Sequence, residues 1–259
     1  MENLGEKMDI WILVILAVIF FLAGFIDSIA GGGGLLTMPS LLLAGISPEI
    51  ALGTNKSIVT LGTLTALINF IRHKLLNYKA AIVGSITGII GAFFGAKTVL
   101  LLDTHVIYKV FFIILPIALI LTLIPKKNSD KTVMNRKDIY LFTPIIALVV
   151  GFYDGFFGPG TGSFLILGFS VVIGLNLVHA SALAKAINLS SNIGSLVTFI
   201  LAGKIMYAII LPLIIANMLG GYAGSSLVIR KGQKIVKIFM LVVFFAIFIS
   251  LIYKYLKGF

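Results

Sequence analysis

The sequence predicts an all-α polytopic membrane protein of two homologous repeats. Each repeat is expected to hold about four long transmembrane helices plus a short broken or re-entrant segment. Three observations carry this. Of the 259 residues, 59% are hydrophobic and 11% charged, with mean hydropathy +1.15, against roughly 25% charged in a soluble domain. Long apolar runs follow one another across short polar gaps, enough for about eight to ten crossings and almost no extramembrane domain. A glycine-rich interruption then occurs twice. Residues 24–39 read Gly-Phe-Ile-Asp-Ser-Ile-Ala-Gly-Gly-Gly-Gly-Leu-Leu-Thr-Met-Pro, and residues 151–162 read Gly-Phe-Tyr-Asp-Gly-Phe-Phe-Gly-Pro-Gly-Thr-Gly.

In chain order, the first long apolar run is 10–30. A short piece, 35–46, follows the glycines and is too short to span comfortably at ~1.5 Å per residue. Ser47, Pro48 and Glu49 close it with a turn signal. Long runs follow at 51–71, 80–102 and 106–124. Residues 126–138 are the only polar stretch of length, read as a cytoplasmic linker loop with too little apolar content for a core. The second half repeats the order: 139–157, the Gly/Pro break, a short piece at 164–175, then 180–202, 205–229, a basic turn at 230–237 and a last run at 238–256. The division is therefore 1–125, 126–138 and 139–259.

The repeat goes beyond hydropathy. Gly24, Phe25, Asp27, Gly31 and Gly33 match Gly151, Phe152, Asp154, Gly158 and Gly160 at constant offset. With a shift of two, Ala51, Lys56, Tyr78, Gly91 and Gly95 match Ala180, Lys185, Tyr207, Gly220 and Gly224. Apolar matches are cheap in a membrane protein; Asp, Lys and Gly matches are not. If each short piece returns the chain to the side it entered from, the repeats are inverted; if not, they are parallel. Loop cations do not separate the two arrangements. The inverted one is favoured because the breaks then meet near the midplane from opposite sides.

Composition excludes several chemistries. Without cysteine there is no disulfide, thiol catalysis or iron–sulfur ligation. The net charge of +11 sits in short loops between apolar runs, so it reads as positive-inside topology and not as nucleic-acid binding. Residues 1–9 are more acidic than basic and no small-residue cleavage site follows the first run, so a cleaved signal peptide is not expected.

The candidate site is built from charges and backbone at depth. A lysine at the centre of a membrane helix costs about 2.5–3.5 kcal/mol, so the duplicated Lys56 and Lys185 are read as cations facing an anion pathway, with snorkelling as the bland alternative. Asp27 and Asp154 are the only acids far from a loop. They can be proton-coupling carboxylates, partners of the lysines, or caps on N–H groups freed by the breaks. Gly31, Gly32, Gly33 and Gly34, and Gly158, Gly160, Thr161 and Gly162, offer backbone N–H donors that bind anions without a side chain. Asn55 beside Lys56, and Asn188, Ser190, Ser191 and Asn192 after Lys185, add polar donors, though helix–helix hydrogen bonds explain them equally well. Gly84, Gly88, Gly91, Gly95, Gly220 and Gly224 keep small-residue spacing and read as close helix packing. His73, His105 and His179 lie near segment ends and receive no role.

The first break, followed by Ala51-Leu52-Gly53-Thr54-Asn55-Lys56, resembles the TauE/SafE family of prokaryotic membrane transporters, also called sulfite exporters. The second break and the two-half organisation are similar, and the resemblance covers about residues 10–256. It implies transport of a small sulfur-containing or carboxylated anion, of sulfite, sulfonate or sulfoacetate type, across the inner (cytoplasmic) membrane. The second half has Ala182-Leu183-Ala184-Lys185 where the first has Gly53-Thr54-Asn55-Lys56, a departure from strict two-fold equivalence.

The reading is a multi-pass secondary transporter working by alternating access, with an anion channel as the alternative. No cofactor and no metal are expected. The expected partners are a small anionic substrate, a proton or cation for coupling, the lipid bilayer and, through the glycine faces, a second copy of the chain. An intramembrane enzyme fits poorly, because no His-Glu-x-x-His motif, cysteine or deep Ser/His arrangement is present.

Overall fold

The computed structural model describes residues 9–122 and 129–232. The last apolar run, 238–256, residues 126–128 of the linker and the end of the basic turn lie outside the described residues. The described residues form nine α-helices: α1 (Ile10–Ala30), α2 (Gly34–Leu43), α3 (Pro48–Arg72), α4 (Tyr78–Leu100), α5 (Thr104–Thr122), α6 (Thr143–Phe156), α7 (Thr161–Val171), α8 (Leu177–Leu201) and α9 (Ile210–Lys231). A π-helical turn, Asp138–Phe142, leads into α6, and a 3-10 turn, Tyr207–Ile209, leads into α9.

Four of these helices, with their leading turns, are long and apolar enough to cross a membrane: α1, α4, α6 and α9. Helices α3 and α8 have the length, 25 residues each, but carry a buried polar face instead of an unbroken apolar one. This is an all-α polytopic membrane protein whose two polar helices are sheltered by apolar ones.

Local chemistry sets the helix starts. Asp9, Asn77 and Asn176 cap α1, α4 and α8, each side chain accepting from a first-turn N–H (Trp11, Ala80 and Val178). Three helix starts fall three residues before the expected positions. Helix α3 begins at Pro48, three residues before the expected 51, because proline's fixed φ suits the first helical position. Helix α7 begins at Thr161, directly after the break, not at 164. Helix α8 begins at Leu177 and not at 180, since Asn176 caps it. The linker is also more structured than a free loop. Lys131 makes a parallel bridge to Leu175, its ammonium lies 2.7 Å from Asp138 Oδ2, and Asn135 and Asp138 exchange side-chain-to-backbone hydrogen bonds.

Packing is closest where glycines meet backbone. Helix α4 lies on α6, and a Cβ at Gly91 or Gly95 would stand 2.3 Å from Leu148 O or 2.0 Å from Phe152 O. Helix α9 lies on α1 in the same way: a Cβ at Gly220 or Gly224 would stand 2.0 Å from Phe21 O or 2.2 Å from Phe25 O. Each first helix thus packs on the fourth described helix, long-segment equivalent, of the other half. These glycine faces are occupied within the chain, so they are not free for a second copy.

Two apolar clusters mark opposite ends of the helices. One gathers the start of α1 (Leu16, Phe20), the end of α2 (Leu41), the start of α3 (Leu52), the ends of α4 (Val99) and α8 (Phe199), and the start of α9 (Leu213). The other gathers the end of α3 (Leu67), the start of α4 (Ala80), Ile139 ahead of α6, the end of α7 (Phe169) and the start of α8 (Leu183). Helices α1 and α2 both have their outer ends in the first cluster. The lead-in to α6 and the outer end of α7 both lie in the second.

Candidate functional site

The two breaks meet. Helix α1 ends at Ala30, and Gly31 takes φ 81°, a left-handed conformation that a side chain disfavours. A Cβ there would also stand 2.1 Å from the Gly162 carbonyl carbon. Across this contact Ser163 N donates to Gly31 O at 3.1 Å, and Ser163 Oγ donates to Ala30 O at 2.5 Å. On the other side α6 ends at Phe156, and Gly160, at φ 86°, caps α7. The Tyr153 hydroxyl donates to Pro159 O at 2.5 Å and holds this second turn.

Two short helices therefore begin beside each other, and a helix start leaves N–H groups without intrahelical partners. Among the described residues, the N–H groups of Gly32, Gly33, Gly34, Gly160 and Gly162 find no acceptor. Such exposed donors are tolerated inside a membrane protein only where protein or a cavity covers them.

The buried charges sit against these breaks in two crossed pairs. Lys56 on α3 reaches Asp154 on α6, Nζ to Oδ1 at 2.7 Å, and also lies 2.9 Å from Asn192 Oδ1. Lys185 on α8 reaches Asp27 on α1, Nζ to Oδ2 at 2.5 Å. Each pair joins the lysine of one half to the aspartate of the other. Neither lysine snorkels to an interface: their side chains are 3% and 1% exposed. Neither carboxylate caps a backbone N–H; of the three roles open to the aspartates, the geometry brings them to the lysines.

One cavity, ≈ 30 Å³, lies between the breaks, room for about two waters. Asp27, Gly31, Gly33, Gly34, Asn55 and Lys56 line it from the first half, and Asp154, Gly158, Gly160, Thr161, Gly162 and Asn188 from the second. Of the expected residues, Gly32 and Lys185 are not in its wall, and Lys185 touches it through Asp27. Among the described residues, two buried side-chain atoms in that wall have no hydrogen-bond partner, Asn55 Oδ1 and Asn192 Nδ2. Buried polar atoms are otherwise nearly always satisfied, so these two mark places where a polar guest fits.

Thr63 and Asn217 also line the cavity and were not expected there. Asn217 Nδ2 donates to Phe20 O at 2.8 Å, tying α9 to α1. The signal was available, since an amide stands alone in the apolar run 205–229, but its counterpart in the first half is Gly88, so the repeat gave it no support. Asn192 was visible only as one of several polar neighbours of Lys185.

Glycine-broken helices meeting at depth across buried ion pairs define a polytopic membrane transporter. The chain belongs to the sulfite exporter TauE/SafE family, whose profile matches residues 16–251. It is 41% identical over 234 residues to the probable membrane transporter protein YfcA of Escherichia coli K12, covering 89% of this chain and 87% of the relative. A probable membrane transporter protein of Haemophilus influenzae is 36% identical over 249 residues, covering 95% of this chain and 97% of its own. The probable membrane transporter protein ORF9 of Sinorhizobium sp. is 36% identical over 248 residues, covering 95% of both. No solved structure matches the chain. The protein is thus a multi-pass transporter of the cytoplasmic membrane and not an enzyme.

Proposed function

We propose that this transporter moves a small anion, of sulfite, sulfonate or sulfoacetate type, by alternating access between two oppositely oriented repeats. The observation that carries the reading is the set of unpartnered N–H groups at the starts of α2 and α7, four of whose residues (Gly33, Gly34, Gly160 and Gly162) line one cavity. Backbone donors at helix starts suit an oxyanion, and Asn192 Nδ2 adds a side-chain donor. The family description, sulfite exporter, supports the sulfur-anion class.

The ion pairs refine the role of the lysines. Lys56 and Lys185 are already matched by Asp154 and Asp27, so they hold the site together and do not present two free charges. Opposite orientation is supported by the two end clusters: α1 and α2 are anchored at one end, the lead-in to α6 and α7 at the other. The crossed pairs, which a swap of halves exchanges, support the two-fold relation between the repeats but not its direction. Access to the site changes sides when one hairpin moves relative to the other, which is the motion alternating access requires.

Flux through proteoliposomes tests this. Sulfite, thiosulfate, sulfoacetate, taurine and acetate are offered in turn. Saturable flux of at least one sulfur anion is the expected result. Flux that rises linearly with concentration makes the protein an anion channel, and no flux of any of them sets the anion reading aside.

A further inference from the structure

The two ion pairs are not equivalent, and the difference has a functional reading. Asp154 is held from several sides: Lys56 Nζ and Thr161 Oγ1 both lie 2.7 Å from Oδ1, and Ser191 Oγ lies 2.7 Å from Oδ2. Its side chain is 2% exposed. Asp27 has Lys185 alone, on Oδ2; its Oδ1 receives no donor among the described residues, and its side chain is 19% exposed and in the cavity wall. The repeat explains this. The counterparts of Thr161 and Ser191 in the first half are Gly34 and Gly62, which have no hydroxyl to give. Neither position has room for one: a Cβ at Gly62 would stand 1.9 Å from Asn217 Oδ1, and one at Gly34 would stand 2.9 Å from Pro159 Cα.

Charge balance says what the sparse pair does. Among the described residues the formal charges at the cavity are Lys56, Lys185, Asp27 and Asp154, and they cancel. Helix dipoles do not break the tie. At each break the negative end of the first helix lies beside the positive start of the second. An anion entering alone leaves a buried, uncompensated negative charge, which is strongly disfavoured. One positive charge entering with a monovalent anion restores neutrality. A proton fits, because it needs a single carboxylate oxygen and Asp27 Oδ1 has no donor among the described residues.

We propose that Asp27 is the coupling carboxylate, taking up one proton with each monovalent anion, while Asp154 is a fixed counter-ion. The proton adds to the Asp27 carboxylate. Lys185 keeps its own protons and is released from Asp27 to face the anion beside the N–H groups. Loss of the anion and the proton on the other side restores the pair. The groups facing Asp27 are Lys185 from α8, Lys56 from α3, and Asp154 behind Lys56; α2, α7 and α9 bring it no titratable side chain. This inference rests on the anion-transport reading and adds the coupling ion and its residue.

The test uses proteoliposomes with a trapped pH dye and the membrane potential clamped. Methanesulfonate is the probe, a monovalent anion that does not cross lipid as a neutral acid; thiosulfate and sulfoacetate repeat the assay. In wild type, inward flux acidifies the lumen with one proton per methanesulfonate, and an imposed pH difference accumulates the anion about tenfold per pH unit. Asp27→Asn abolishes the proton-to-anion ratio and the accumulation, and Asp27→Glu restores both. Asp154→Asn reduces the amount of folded protein, but what remains keeps the wild-type ratio. If Asp27→Asn passes no anion, proton uptake on methanesulfonate binding to detergent-purified wild type decides, one proton per site supporting the inference and none overturning it. Anion flux in wild type without protons overturns the coupling alone, as does a ratio that survives Asp27→Asn or is lost in Asp154→Asn. If neither these three anions nor those offered above move, the anion-transport reading falls and the coupling with it.

Discussion

Asp154 and Lys56 illustrate what a buried pair costs to break. Both side chains are almost wholly buried, and removing one partner of such a pair typically costs 3–5 kcal/mol, because the other charge stays behind uncompensated. Lys56→Ala is therefore expected to destabilise the protein by about 3–5 kcal/mol. Adding Asp154→Asn to it recovers part of that loss, and both are read by thermal unfolding in detergent. Depth and duplication made Lys56 and Lys185 legible in the sequence, and the same held for Asp27 and Asp154. Which lysine meets which aspartate was not legible. Pairing across halves depends on how α3 and α8 lie against α6 and α1, and no local pattern encodes that.

Between residues and the whole lie the breaks. Gly31 and Gly45 have nearly the same φ, 81° and 83°, but different surroundings. A Cβ at Gly31 would run into Gly162, whereas Gly45 has nothing within 4 Å. Gly45→Ala is expected to cost only the left-handed strain, roughly 1–2 kcal/mol, and to leave a monodisperse protein on size exclusion. Gly31→Ala adds a backbone collision between α1 and α7, and the folded fraction falls sharply in the same assay. The glycine runs announced both breaks in the sequence. Helices α3, α7 and α8 were read three residues late, because Pro48, Thr161 and Asn176 act as starts rather than as turn residues.

At the scale of the molecule, the claim is that two hairpins enter from opposite sides and share one cavity. The chain has no cysteine, so single cysteines report sidedness directly. Leu43 at the end of α2 is 88% exposed and Val172 after α7 is 55% exposed. Leu43→Cys and Val172→Cys are expected to react with an impermeant thiol reagent from opposite sides of the membrane; reaction from one side supports parallel repeats. The repeat itself was legible from its Asp, Lys and Gly matches, but its orientation was not, because the loop cations divide evenly between the two arrangements.

The most direct measurement of the central claim is the rate of sulfur-anion flux in wild type and in Asn192→Asp. The substituted carboxylate keeps an oxygen for Lys56, as Asn192 Oδ1 does now at 2.9 Å. It removes the unpartnered Nδ2 donor and places negative charge in the cavity wall. Saturable flux in wild type that falls at least tenfold per folded molecule in Asn192→Asp is the predicted result. Equal flux through both proteins contradicts an anion site between the two breaks.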